Sequence, residues 1–288
     1  MSKVLVTGAT GLLGSSLVPL LQERGHNILL LGHSHATDLN VNLSSYEQTA
    51  RALDQVKPDV IINLVALTNV DRCEMYPNEA YMLNVKSVEN LCVWIKAASQ
   101  HCHLIQISSD QLYDGVGPHA EEELTIRNHY GMSKLAGEFA AGTVPSTVLR
   151  TNFIGRSLRI GRTSFTDWLD SALRGNSPIN VFNDVMFSPL ALRTLCDCIE
   201  RTIVERPLGV FNLGSRDGMS KADFAFAFAA ATFLPTTNLV RCSVSVDSTL
   251  SARRPTDMRL NSDRFEVRMG LKLPRLIDEI QILAHEYR

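Results

Sequence analysis

Over the first half of the chain, continuous apolar runs alternate with stretches whose apolar positions recur every three or four residues. Lys3–Thr7, Asn27–Leu31, Asp59–Leu64, His103–Ser108 and Thr147–Arg150 read as strands. Between them, Leu12–Arg24, Ser44–Val56, Asn78–Ser99 and Tyr130–Ala141 read as helices. In the first of these, Leu13, Leu17, Leu20 and Leu21 share one face. Ile28-Leu29-Leu30-Leu31 and Val60-Ile61-Ile62 do not alternate with polar residues, the pattern of strands covered on both sides. Strand–helix alternation of this kind predicts right-handed βαβ units and a parallel sheet in an α/β fold.

Beyond Arg150 the rhythm loosens. Thr163–Arg174 and Pro189–Glu205 read as helices around a strand at Ile179–Phe182. Val210–Asn212 reads as a further strand of the main sheet, and Ser220–Phe233, rich in Ala and Phe, as a buried helix. Val240–Val246 alternates like a half-exposed strand, and Pro274–Tyr287 closes the sequence as an amphipathic helix. The expected organisation is a sheet domain over residues 1–153, with a strand near 209–213 returning to it, and a smaller α/β lobe over 154–288.

Between the first strand and the first helix lies Thr7-Gly8-Ala9-Thr10-Gly11-Leu12-Leu13-Gly14, a GxxGxxG turn. Glycines there permit a tight turn and close backbone approach, and a helix N-terminus offers unpaired N–H groups to a pyrophosphate. This context predicts dinucleotide binding in a Rossmann-type, doubly wound sheet, with Gly8, Thr10, Gly11, Leu12, Leu13 and Gly14 at the cofactor. NAD-preferring sites commonly end the second strand in an acid, which repels a 2′-phosphate. Here the strand ends Gly32-His33-Ser34-His35 with no acid before Asp38. That favours NADP(H), with His33 and Ser34 as candidate phosphate contacts and NAD(H) as the alternative.

Tyr130-Gly131-Met132-Ser133-Lys134 is a YxxxK pair at the start of a helix. Residues four apart share a face, so the ammonium lies beside the phenol or the cofactor ribose and draws the phenol pKa down from about 10. Upstream, Ile107-Ser108-Ser109-Asp110 ends a strand at the sheet edge where open α/β folds bind ligands. Ser109 is the candidate hydroxyl for a substrate carbonyl, and Ser108 a candidate strand cap.

With these motifs the chain resembles the extended short-chain dehydrogenase/reductase superfamily and, over nearly its full length, the dTDP-4-dehydrorhamnose reductase family. Asp59-Val60-Ile61-Ile62-Asn63 with Ala66-Leu67-Thr68-Asn69-Val70-Asp71, Ser108-Ser109-Asp110-Gln111-Leu112-Tyr113-Asp114-Gly115, and Arg254-Pro255 carry the likeness. The resemblance implies a 4-keto-6-deoxyhexose, linked to a nucleoside diphosphate, reduced at C4 by hydride from a nicotinamide. Tyr130 is then the proton donor, Lys134 its tuner and ribose anchor, and Ser109 the carbonyl-holding hydroxyl. By position, Asp38 and Leu39 match residues near the adenine. Val65, Ala66 and Leu67 match a segment along the cofactor, and Asn84 lies on the following helix. The resemblance also assigns Thr68, Ser109, Gln111, Phe153 and Arg254 to the substrate, with Arg254 at the pyrophosphate. Gln111 stands where the family commonly has Tyr, Phe153 where it has Trp, and Phe187 where a small residue is usual. These departures bear on which sugar is taken. An epimerase or dehydratase of the same superfamily is a further reading, although no Glu follows Asp110 as dehydratase chemistry needs. A non-catalytic NADP-binding regulatory subunit, like the beta subunit of methionine adenosyltransferase, is another.

Composition narrows the partners. With 28 basic and 30 acidic residues in 288, a net charge of −2 leaves no broad surface for nucleic acid. No apolar run approaches a membrane span, and Met1-Ser2-Lys3 leads straight into a strand, so the expected compartment is the cytoplasm. The six cysteines form no CxxC pair and read as reduced thiols. His101-Cys102-His103 reads as a surface turn entering a strand, and no metal site is expected. The expected partner is a nucleotide sugar, and a homodimer is the assembly considered.

Overall fold

The computed structural model describes residues 2–32, 37–98, 101–159, 161–175, 178–246 and 250–288. In chain order, β1 (Lys3–Thr7), α1 (Leu12–Glu23), β2 (Asn27–Gly32), β3 (Leu39–Asn40), α2 (Tyr46–Val56) and β4 (Val60–Asn63) come first. They are followed by α3 (Val70–Met75), α4 (Pro77–Tyr81), a π-helical turn at Met82–Lys86, α5 (Ser87–Ala98), β5 (His103–Ser109), α6 (His129–Ala141) and β6 (Ser146–Thr151). Next come β7 (Phe153–Ile154), α7 (Phe165–Arg174), β8 (Ile179–Phe182), β9 (Met186–Phe187), β10 (Leu190–Ala191) and α8 (Leu192–Glu205). The chain ends with β11 (Gly209–Leu213), β12 (Met219–Ser220), α9 (Lys221–Thr232), β13 (Leu239–Cys242), α10 (Asp263–Met269) and α11 (Leu276–Ala284).

Residue contacts divide the chain into two compact units. The first comprises Met1–Ser109, Asn128–Arg150 and Cys196–Phe211, the second Asp110–Arg127, Thr151–Leu195 and Asn212–Arg288. The sequence reading places a boundary after residue 153 with a strand near 209–213 returning to the sheet; the contacts group 110–127 with the second unit and 196–211 with the first. The first unit is built on a seven-stranded sheet of order β11-β6-β5-β4-β1-β2-β3. The pairs β1–β2, β1–β4, β2–β3 and β4–β5 are parallel. Its strands are apolar because both faces are covered: Val4, Leu5, Ile61, Ile62, Leu104 and Ile105 have no exposed surface. Helix α1 buries Leu13, Leu17, Leu20 and Leu21 as its periodicity predicts. Helix α2 is started by Ser45, whose side chain accepts from the Gln48 N–H, and stopped by left-handed Lys57.

The core of the second unit is aromatic. Phe224 and Phe228 of α9 lie 6.2 Å apart, with Phe165 and Phe187 packed on Phe224 at 5.7 and 5.4 Å and Tyr287 edge-on to Phe228 at 5.2 Å. Phe187, the departure from the family pattern, is 2% exposed within this cluster. Helix α7 begins with a reciprocal capping box between Ser164 and Asp167.

Three expectations change. The helix expected over Asn78–Ser99 is interrupted by the π turn, and two short helices, α3 and α4, precede it. The strand expected over Val240–Val246 is Leu239–Cys242 followed by a 3-10 turn at Val244–Val246, because only the first part pairs with β8. His101-Cys102-His103 lies on a turn only at its exposed first residue. Cys102 and His103 are buried, and the His103 Nε2 lies 2.8 Å from Thr147 Oγ1.

Candidate active site

The glycine turn leaves β1 with Gly8 at φ +65°, a conformation that side-chain-bearing residues rarely adopt. Its N–H donates to Leu31 O at 3.0 Å, and the Gly11 N–H closes the turn onto Gly8 O at 2.9 Å. A Cβ on Gly8 would lie 3.0 Å from the Leu64 carbonyl carbon and the Val65 nitrogen. One on Gly14 would lie 2.4 Å from Ala9 O. Bare backbone is therefore required on both sides of the turn. Helix α1 starts from Gly11 with no side-chain cap and no acidic residue in its first turn. Its first N–H groups and positive dipole end suit a diphosphate. Thr10 and Leu12 are half-buried at this end, and Leu13 is buried beneath it.

His33 and Ser34 lie outside the described residues. Asp38 accepts from the Leu30 N–H at 2.8 Å, so its carboxylate extends the backbone pairing of β2, and Leu39 pairs with Leu31.

From the carboxyl ends of β1 and β4 to the middle of β5, three polar side chains stand in one register row: Thr7 faces Asn63, and Asn63 faces Gln106. Thr7 Oγ1 donates to Asn63 Oδ1 at 2.6 Å, Asn63 Nδ2 to Gln106 Oε1 at 2.8 Å, and Gln106 Nε2 to Ile107 O at 3.1 Å. None is more than 2% exposed, so each donor is satisfied without water. The Lys134 Nζ donates to the same Ile107 oxygen at 2.7 Å.

Helix α6 carries the YxxxK pair. Asn128 caps it by accepting from the Gly131 N–H at 2.8 Å. Tyr130, 7% exposed, packs with Cys73 and Ala80 and against Leu67 and Val70. Lys134, one turn on, is 4% exposed. Burial pushes its ammonium down to about 8, against the upward pull of Glu138 and then Cys73. At the end of β5 the two serines part in role. Ser108 Oγ donates to Glu138 Oε1 at 2.5 Å, and Glu138 is held by Arg150 through bonds of 2.6 to 3.0 Å. Ser108 therefore belongs to a buried structural network. Ser109, 5% exposed, ends the strand.

Asn84, on the π turn, ties these parts together. Its Oδ1 accepts from the Leu67 N–H at 2.7 Å, and its Nδ2 donates to Leu67 O at 3.1 Å and to Ser133 Oγ at 2.8 Å. Ser133 Oγ donates in turn to Tyr130 O at 2.8 Å. A Cβ on Gly137 would lie 2.4 Å from Asn84 O, so α6 approaches the turn as closely as backbone allows. The π turn is the local distortion that puts Asn84 between the 65–67 segment and the Tyr130 helix. Val65, Ala66 and Leu67 are half-buried and Thr68 is exposed.

In the second unit, Gln111 Nε2 lies 3.1 Å from Met258 Sδ, and half-buried Phe153 pairs with Leu190. Arg254 is half-buried, with Nη1 donating to Ala252 O at 2.9 Å. Asp114 fixes the nearby backbone by accepting from the N–H and Oγ1 of Thr256, both at 2.8 Å, and from Arg127 at 2.5 Å. Burial raises its pKa, but these bonds outweigh it and hold the carboxyl at about 2. Sequence reasoning missed the Thr7–Asn63–Gln106 row, although Thr7 and Asn63 close their strands and Gln106 is a polar residue inside an otherwise apolar run. It also missed the Glu138–Arg150 pair, which no local pattern announces.

A glycine turn feeding a bare helix end, with a buried lysine one turn after a tyrosine, is the arrangement expected of the short-chain dehydrogenase/reductase class. The chain belongs to the RmlD substrate binding domain family, whose model matches residues 2–288. It is 29% identical to the dTDP-4-dehydrorhamnose reductase of Shigella flexneri over 94% of this chain and 93% of that one. It is also 29% identical to the methionine adenosyltransferase 2 subunit beta of Bos taurus, over 96% of this chain and 89% of that one. The crystal structure of dTDP-4-dehydrorhamnose reductase from Bacillus anthracis in complex with NADP shares the fold. Its TM-score is 0.89 at 21% identity, covering 99% of both chains.

Proposed function

We propose that this protein reduces the C4 keto group of a nucleotide-linked 4-keto-6-deoxyhexose. It is an NAD(P)H-dependent oxidoreductase acting on a nucleotide-sugar ketone, as the reductases among its relatives are named. Its cofactor is NADP(H), with NAD(H) as the alternative. The B. anthracis neighbour holds NADP, and the glycine turn fits a dinucleotide diphosphate. When bound, the dihydronicotinamide supplies hydride to the ketone carbon.

The chain's own residues handle the oxygen. Ser109 donates to the carbonyl oxygen and orients it. Tyr130 passes its phenolic proton to that oxygen as negative charge develops. The Lys134 ammonium brings the phenol towards the working pH and binds the ribose, while Ile107 O keeps it in place. Asn84 positions the 65–67 segment and the Tyr130 turn relative to one another. Gly8, Thr10, Gly11, Leu12, Leu13 and Gly14 hold the cofactor in the first unit, with His33, Ser34, Asp38 and Leu39 towards its adenosine. Thr68, Gln111, Phe153 and Arg254 are assigned to the sugar nucleotide.

The observation that carries this reading is the burial of Lys134 one turn beyond Tyr130. Lysines on helices are almost never buried unless something uses them. The test is NADPH oxidation with a panel of dTDP-, GDP- and CDP-linked 4-keto-6-deoxyhexoses, with product stereochemistry by NMR. Wild type is expected to turn over at least one, and Tyr130→Phe to lose turnover while still binding NADPH. A wild-type protein that binds NADPH but reduces none of them overturns the reading. A regulatory subunit, favoured by the equal identity to the bovine beta subunit, then takes its place.

A further inference from the structure

Helix α3 meets helix α6 through two consecutive residues on each side. Cys73, fully buried, packs on Tyr130, and the next residue, Glu74, bonds the one before it, His129. A single carboxylate makes both bonds of the second contact. Glu74 Oε2 accepts from the His129 backbone N–H at 3.1 Å, and Oε1 lies 3.1 Å from His129 Nδ1. An ionised carboxylate only accepts, so the ring carries a proton on Nδ1. His129 is the first residue of α6, whose leading N–H groups have no partner inside the helix. Glu74 satisfies the first of them and sets a negative charge at the positive end of the helix dipole. On the other side of Tyr130, its carbonyl accepts from Ser133 Oγ, which is held by Asn84. The backbone around Tyr130 is thus gripped from α3 before it and from the π turn after it. Helix α3 has six residues, too few to keep its shape alone, and it is tied down in turn. Asn69 Oδ1 accepts from the Arg72 N–H at 2.8 Å, and the Arg72 guanidinium makes two bonds of 2.8 Å to Glu79.

The side chains of Glu74 and His129 are 32% and 52% exposed, and pairs so open to water add little to stability. The consequence of this one is geometric. We propose that Glu74 is a positioning residue for Tyr130: through His129 it fixes the first turn of α6 against α3, and so fixes where the phenol stands. This rests on the reductase reading, in which Tyr130 is the proton donor, and adds a residue to which that reading gives no contact with substrate or cofactor. Turnover falls steeply when a reacting group is misplaced by a fraction of an ångström. A bond that hardly affects folding therefore acts strongly on kcat.

The experiment compares wild type, Glu74→Ala and Glu74→Gln in NADPH oxidation with the panel of 4-keto nucleotide sugars. It also records the tyrosine ring signals of each full-length protein by NMR with carbon-labelled tyrosine, the Tyr130 signal being identified by its loss in Tyr130→Phe. Glu74→Ala is expected to lower kcat by about tenfold or more, with KM for NADPH and melting temperature unchanged, and to split or broaden the Tyr130 signal. Gln keeps an oxygen for the His129 N–H. Glu74→Gln is therefore expected to hold kcat within about threefold of wild type and to show one sharp Tyr130 signal. Wild-type kcat or an undisturbed Tyr130 signal in Glu74→Ala overturns the positioning role and leaves the reductase reading standing. So does a melting temperature that falls in step with kcat, or a loss in either readout that Gln does not relieve. If wild type reduces no ketosugar, the reductase reading fails and the NMR signal decides alone. A disturbance in Glu74→Ala that Gln relieves then keeps the positioning of Tyr130, and an unchanged signal overturns that too.

Discussion

The two units solve different problems with different residues. In the first, polar side chains at the carboxyl end of the sheet are buried and satisfied by one another: Thr7, Asn63 and Gln106 in one row, Ser108 with Glu138 and Arg150 in another. In the second, the interior is led by a cluster of aromatic rings, with polar order in loop carboxylates such as Asp114 and Asp257 and around the start of α7, where Tyr287 bonds Thr166 and Asp167. A site that must hold a lysine and a tyrosine to a fraction of an ångström needs directional bonds around it. A unit whose core only has to be filled can use rings, which pack tightly without fixing any one atom for chemistry.

The largest test of this contrast removes the charge that the first unit is arranged around. Lys134→Met should lower kcat by about 100- to 10,000-fold in the NADPH oxidation assay. Its melting temperature should be unchanged or higher, because burial disfavours the ammonium. A fall in both would make Lys134 a structural residue. Next, Glu138→Ala should destabilise by about 3–5 kcal/mol in urea, since it leaves the Arg150 guanidinium buried without its carboxylate. Phe224→Ala should cost a similar amount, about 3–5 kcal/mol, by leaving a cavity in the second unit. The two should differ in consequence: the first also lowers kcat, while the second leaves NADPH affinity intact. Asn84→Ala is a smaller step, at about 1–3 kcal/mol, from unpaired Leu67 and Ser133 groups. It should raise KM for NADPH as well as lower kcat.

The smallest effect separates the units by acid. Burial, helped by Arg206, pushes His103 in the first unit down to about 4 from 6.5. The unfolded chain then binds a proton that the folded chain refuses. Stability from this group is full above about 6.5 and is lost as pH falls towards about 4. Asp114, held at about 2 against an ordinary 3.8, contributes fully above 3.8 and loses that contribution as pH falls through about 2. Hydrogen exchange should show the first unit loosening at the higher pH, and His103→Gln should narrow the gap. Simultaneous loosening would break the comparison.

Much of the first unit was legible because its chemistry is local. The glycine turn and Tyr130–Lys134 are short spacings fixed by a turn and a helical repeat, and the apolar strands show burial directly. The π turn was not legible: Met82–Lys86 has ordinary helical composition, and its distortion comes from Asn84 bonding Leu67 and from Gly137 admitting close approach. Strand β3 was hidden because two residues paired beside β2 leave no periodic signal. In the second unit, the place of Phe187 among the rings depends on Phe165 and Phe224, distant in sequence and unconnected by any pattern.

The row from Thr7 to Gln106 has a polarity. Every donor in it points the same way, from β1 towards β5, and the series ends on Ile107 O, which also receives the Lys134 ammonium. Aligned in sequence, such dipoles polarise one another, so β1, two strands from β5, contributes to the field at one carbonyl oxygen. The lysine is thus steadied by a gradient of neutral groups without a dedicated carboxylate bonded to it. An ammonium held in that manner is anchored yet remains willing to release its proton. Removing a single donor from the row, as Asn63→Asp would by replacing the amide with a carboxylate, would alter the acidity of a group held on the neighbouring strand.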